Sequence, residues 1–159
     1  MSETRWLDIK QQTHWRAYLR GTRLLERALV DDLAPHRIQL TEYELLSMLS
    51  ESPGQRTRMS KLADDIVQSR SRVTHTAARL EKRGWVERNR ASDDGRGVEI
   101  GLTDEGREAL EEIAGLHVES VREHLVDVLT PEQFTALGEV MATVRDRLAP
   151  DHHEPGLDD

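Results

Sequence analysis

A chain of 159 residues with 36% hydrophobic content can fill one modest core, or one small domain with helical extensions, but not two independent cores. With 33% charged residues and no apolar run near the roughly 20 residues that cross a bilayer, it reads as soluble, and the absence of cysteine excludes disulfides, thiolate zinc sites, nucleophilic cysteines and thiol redox sensing. A formal net charge of −8 argues against a polyanionic partner for the chain as a whole, so the distribution of that charge matters.

From about Asp8 to Leu33, apolar residues recur at Trp15, Leu19, Leu25, Leu29 and Leu33, the spacing of a long amphipathic helix that Pro35 ends. Thr41-Glu42-Tyr43-Glu44 has the pattern of a capping box opening a second helix through Leu45, Leu46 and Leu49, closed by Ser52-Pro53-Gly54. Ser60 to Ile66 predicts a short helix with Leu62, Ala63 and Ile66 inward. After the turn Val67-Gln68-Ser69, a further helix runs from about Arg70 to Arg83, stopped by Gly84. Two helices across so tight a turn form a helix-turn-helix. Trp85 to Arg90 and Val98 to Leu102 predict a β-hairpin around the turn-rich segment 91–97, which carries Arg96. Thr103 caps a long helix to about Leu129, and Thr130-Pro131-Glu132-Gln133 caps the last one. Its Phe134, Leu137, Met141, Val144 and Leu148 are spaced 3, 4, 3 and 4 apart, a coiled-coil-like seam. The acidic tail, 149–159, predicts disorder.

The charge is uneven. Between Arg56 and Arg96 there are eleven Lys/Arg against six acids, whereas residues 97–159 hold four against sixteen and residues 1–55 seven against eight. The stripe Val73, Ala77 and Leu80 of the second short helix leaves Arg70, Ser71, Arg72, Thr74, His75 and Arg79 for other faces. A helix about 12 Å across fits the DNA major groove. There arginine pairs with guanine, and hydroxyl or imidazole groups meet other base edges. The hairpin tip can place Arg96 in the electronegative minor groove.

These residues resemble the MarR (multiple-antibiotic-resistance regulator) family of winged-helix repressors. The likeness is carried by Met59-Ser60-Lys61-Leu62-Ala63 continuing to Val73-Thr74 and by Arg79-Leu80-Glu81-Lys82-Arg83-Gly84-Trp85-Val86-Glu87-Arg88. It is carried further by Asp93-Asp94-Gly95-Arg96-Gly97 with Leu102-Thr103-Asp104-Glu105-Gly106, similar to the family's wing, and by helix order over roughly 8–148. The resemblance implies a mainly α fold with a small β-hairpin wing. In it Arg96 enters the minor groove, Asp94 holds the wing's arginines in position, and Arg70 to His75 meet bases and phosphates of double-stranded DNA. Arg58 stands where many members place a capping threonine, which leaves Thr57 as the alternative cap.

Residues 36–103 are thus expected to form the DNA-binding region, with 1–35 and 104–148 forming a helical dimerisation region around a palindromic operator. An intramolecular bundle is the alternative way to cover the flanking stripes. Trp6, Trp15, Tyr18 and Tyr43 are four of only six aromatics. They lie where the resemblance places an effector pocket, in which Trp15, Tyr18 and Tyr43 would stack on a small aromatic or phenolic effector and His14 or Arg16 would meet its acidic group. At helical spacing such residues also serve as core. His117 and His124 lie seven apart without an intervening ligand, a poor metal pattern, so neither metal nor cofactor is expected. No catalytic motif is present. A metal-responsive repressor and a winged-helix protein-interaction module without a DNA role remain the alternatives. The segment Met1 to Trp6 has no apolar signal region behind it, which predicts a cytoplasmic protein.

Overall fold

The computed structural model describes residues 3–91 and 96–150. Helix α1, Ile9–Leu33, starts at a capping box the sequence reading did not identify. The Asp8 carboxylate accepts from Gln11 N at 2.7 Å, and Gln11 Oε1 accepts from Asp8 N at 3.0 Å. Pro35 ends it in a short 3₁₀ turn, Ala34–His36, and Arg37 reverses the chain with φ +56°.

Helix α2 is Leu40–Glu51, so it opens before the expected Thr41. Gln39 is the cap and Glu42, at the third helical position, accepts from Gln39 N at 3.0 Å. The expected box, Thr41 with Glu44, lies two residues too late, because Glu42 rather than Glu44 reaches back over the first turn.

A short strand β1, Arg56–Arg58, precedes α3, Met59–Asp65. Arg58 occupies the cap position of α3 without a side-chain capping bond, and Thr57 lies within β1, so neither residue caps α3 through its side chain. After the turn at Val67, whose φ is +52°, α4 spans Arg70–Lys82 with Ser69 Oγ accepting from Arg72 N at 3.3 Å. Gly84, at φ +77°, then provides the left-handed turn that a side chain would strain.

The wing strands are β2, Val86–Arg90, and β3, Val98–Leu102, antiparallel in the register Val86↔Leu102 to Arg90↔Val98. The expected two-stranded hairpin is a three-stranded sheet in the order β1-β3-β2, with Arg56 facing Gly101. Arg56 fastens the three strands: its guanidinium lies over Gly101, 2.6 Å from Glu87 Oε1 on β2 and 3.6 Å from Glu99 Oε2 on β3.

Helix α5 covers Asp104–Val121 and passes into one π-helical segment, Arg122–Val126, where a regular helix to Leu129 was expected. Asp32 of α1 is bonded on both sides of that transition, to Ser120 Oγ at 2.5 Å and His124 Nε2 at 2.8 Å. Helix α6, Pro131–Leu148, opens with Thr130 and Gln133 capping each other as expected.

The buried core belongs to the winged helix: Leu45, Leu46, Leu49, Leu62, Leu80 and Ile100 are fully covered. Leu33 alone is fully buried on α1, and no residue of α6 is. Their apolar side chains stand in water in the single chain, Leu24 at 66%, Val140 at 59% and Leu148 at 78% exposure.

Candidate nucleic-acid interface

The first two turns of α4 present Arg70, Ser71, Arg72, Thr74 and His75 to solvent, while Val73, Thr76, Ala77 and Leu80 face the core. This division follows from the 3.6-residue period and the apolar stripe. The Thr74 hydroxyl donates to Arg70 O at 2.8 Å and keeps lone pairs for an outside donor. The side chains of Arg70, Arg72 and His75 have no hydrogen-bond or ion-pair partner among the described residues. A row of unpaired cationic and polar groups on an exposed helix start can meet an anionic, hydrogen-bonding surface.

Beside it, a cleft of about 240 Å³ is lined by Arg58, Met59, Ser60, Arg70, Thr74, Gly97 and Val98, so the start of α4 and the root of the wing form one concave surface. Arg58 ties these parts, its Nη1 donating to Arg96 O at 3.2 Å. Gly97, at φ +88°, lets the chain turn there. Arg96 is exposed at that corner. Asp94, assigned to the same wing, lies outside the described residues.

Arg79 turns away from this surface. Its Nε donates to Glu42 Oε1 at 3.0 Å and its Nη2 to Gln39 Oε1 at 2.9 Å, which commits it to α2. Sequence position grouped it with the DNA-facing residues; its partner, 37 residues away, was not legible there.

Beneath α4, a cavity of about 650 Å³ opens between α1, α2 and α4, with Glu26, Arg37, Glu44 and Arg72 on its wall. Burial, aided by the Glu26 carboxylate, raises the Glu44 pKa above its usual range, and Arg72 opposes this.

The aromatic set divides in two. Trp15 and Tyr18 stack on exposed α1, ring centroids 5.8 Å apart, with His14 and Arg16 exposed on the same helix. Tyr43 instead packs on His117 of α5, 4.2 Å between centroids, and burial raises its hydroxyl pKa. The structure therefore brings Trp15 to Tyr18 and Tyr43 to His117.

His117 Nδ1 is buried without a partner among the described residues, and burial holds the ring's pKa below the ordinary 6.5. As pH falls through the usual histidine range, the unfolded chain takes up a proton that the folded one refuses, so stability declines. The free energy of unfolding is expected to drop between pH 7 and 5, and the drop to be shallower in His117→Phe, which keeps the ring stack. Denaturant titrations of both proteins across this range check it; identical slopes would remove His117 from the effect.

The MarR family model matches residues 38–98, which contain the helix-turn-helix and most of the wing. Among solved structures, Sco3205 from Streptomyces coelicolor, a MarR family transcriptional regulator in complex with DNA, is 42% identical with a TM-score of 0.88, covering 99% of this chain and 100% of that one. AbsC, another MarR family regulator from the same organism, is 40% identical with a TM-score of 0.87, covering 93% and 100%. The transcriptional regulator PecS of Dickeya dadantii is 27% identical over 146 residues, 89% of this chain and 86% of PecS. With the winged helix in place and this similarity running along almost its whole length, the chain belongs to the MarR family of transcriptional regulators.

Proposed function

We propose that this protein is a homodimeric, sequence-specific DNA-binding repressor, with α4 in the major groove of a palindromic operator and Arg96 of the wing in the adjacent minor groove. The observation that carries the reading is the exposed, unpartnered row Arg70, Arg72 and His75 at the start of α4, contiguous with the wing root. The DNA complex of the similar Sco3205 supports it. In this reading residues 36–103 bind DNA, and 1–35 with 104–148 join two copies in the cytoplasm, the dimer repressing by occluding a promoter. A gel-shift titration with the DNA upstream of the protein's own coding region tests it. A retarded complex that scrambled duplex does not displace is expected, and equal competition by scrambled duplex would refute specific binding.

Dimerisation follows from the uncovered faces of α1 and α6. Tyr18, Gly21 and Leu25 oppose Leu125, Leu137 and Val140 across an open groove of about 610 Å³, an apolar surface too continuous to leave in water. Sedimentation at micromolar concentration is expected to give twice the chain mass of 18.2 kDa, and Val140→Glu to shift the population toward single chains. A wild-type protein sedimenting as one chain would exclude this assembly.

An effector reading goes with it. A small aromatic acid would bind beside Trp15 and Tyr18, with His14 or Arg16 meeting its carboxylate, and weaken DNA binding by favouring a dimer with wrongly spaced α4 helices. The release of DNA by such acids is expected to disappear when Trp15 and Tyr18, the stacked pair on α1, are both replaced by alanine. An unchanged response would place the pocket elsewhere.

A further inference from the structure

We infer that Glu42 is a positioning residue for DNA reading: with Arg79 and Arg83 it fixes the roll and slide of α4 on the rest of the protein. The inference rests on the reading of α4 as the helix that enters DNA. Glu42 is 4% exposed. Its Oε1 accepts from Arg79 Nε at 3.0 Å, and its Oε2 accepts from Gln39 N at 3.0 Å and lies 3.6 Å from Arg83 Nη1. Arg79 also donates to Gln39 Oε1 at 2.9 Å, and Arg83 Nη1 to Arg37 O at 2.8 Å, while the Arg83 guanidinium lies 3.5 Å over the Trp85 ring. The last turns of α4 are thereby bound to the first turn of α2 and to the corner that follows α1.

Apolar packing alone does not supply this. Val73, Ala77 and Leu80 press α4 onto the core, but hydrophobic attraction is non-directional and tolerates a helix that rolls or slides. Guanidinium–carboxylate bonds are directional, and a buried carboxylate held by guanidinia that stay 43% and 31% exposed adds little net stability, so its use here is to select one arrangement among several. The required precision is high. A roll of ~20° moves a group ~6 Å from the helix axis by ~2 Å, more than the tolerance of a hydrogen bond to a base edge. Arg79 then serves DNA binding without touching DNA, and Glu42, buried in α2, belongs to the same device.

The test compares the full chain with Glu42→Gln, Arg79→Gln and the double variant, all well below their melting temperatures by circular dichroism. Two readouts are used. The first is titration against the operator duplex and a scrambled duplex at several salt concentrations. The second is the distance distribution between spin labels at Ser71→Cys on α4 and Glu108→Cys on α5, with labelled chains diluted in unlabelled protein; the natural sequence holds no cysteine to interfere. Each single variant is expected to lose at least tenfold on operator and to broaden the label distances. Binding to scrambled duplex and the salt slope should be unchanged, and the double variant should be no worse than the weaker single one. If Glu42→Gln is too unstable to measure, Arg79→Lys, which keeps the charge but loses the second donor arm, is read in the same way. Unchanged operator affinity and unchanged label distances would reduce the cluster to a fold-stabilising role and overturn the inference. A loss for Arg79→Gln on both duplexes, with the salt slope reduced by about 1 and Glu42→Gln silent, would make Arg79 a phosphate contact and overturn it too. Wild-type protein that distinguishes no duplex would refute the DNA reading itself, whereas the label distances judge the Glu42 cluster without DNA.

Discussion

Arg72→Ala is expected to cost about 1–3 kcal/mol of operator affinity, five- to over a hundredfold, and much less on random DNA. The side chain sits at the exposed start of α4, where a bidentate pair with guanine discriminates bases, and among the described residues it has no hydrogen-bond or ion-pair partner. Arg96→Ala should weaken binding most where the flanking minor groove is narrow and A·T-rich, because the potential there is most negative. Lys82→Ala is the control: it lies at the far end of α4, so it should remove at most one phosphate contact, lowering the salt slope by about 1 without changing sequence preference. Titration of each variant against operator and scrambled duplexes measures all three. Equal losses on both duplexes for Arg72→Ala would reject base reading at that position.

Gly106→Ala is expected to destabilise the fold by about 3 kcal/mol, the upper part of the usual range for overpacking. A Cβ there would stand 2.0 Å from Trp85 O and 2.8 Å from its carbonyl carbon, backbone atoms with no room to yield. Trp85 O is itself held, accepting from Thr103 N at 3.1 Å, while Thr103 Oγ donates to Gly84 O at 2.6 Å and accepts from Gly106 N at 3.0 Å. The first turn of α5 is thus clamped to the corner between α4 and β2, and that clamp relates the wing to the flanking helices. Gly115→Ala, mid-helix in α5 with nothing within 4 Å of the added carbon, should instead be neutral or stabilise by up to about 1 kcal/mol. Denaturant unfolding of the two variants separates the cases, and equal effects would show that the close approach at Gly106 can relax.

The parts of the fold legible in the sequence are those set by local rules. Ser69 and Gly84 bracket α4 because a hydroxyl cap and a left-handed turn each need a particular residue, and Thr130 with Pro131 opens α6 for the same reason. Strand β1 was missed because three residues, Arg56-Thr57-Arg58, are too few to show an alternating period; it exists through pairing with β3, more than 40 residues away. The π segment after Val121 carries no proline or glycine to announce it, and its stabilising partner, Asp32, comes from α1. At the site, the exposed row from Arg70 to His75 followed from helix periodicity. The diversion of Arg79 to Glu42 and the pairing of Tyr43 with His117 did not, because both depend on how α2 lies against α4 and α5.

The DNA-reading role is tested most directly by interference footprinting on the operator. Methylation of guanine N7 in the major groove should block binding at two symmetric patches an integral number of helical turns apart, about 10 base pairs per turn, with minor-groove protection beside each. Arg72→Ala should abolish the first signal and Arg96→Ala the second. A single unsymmetric patch, or a footprint that neither substitution alters, would contradict a dimer that reads DNA through α4 and the wing.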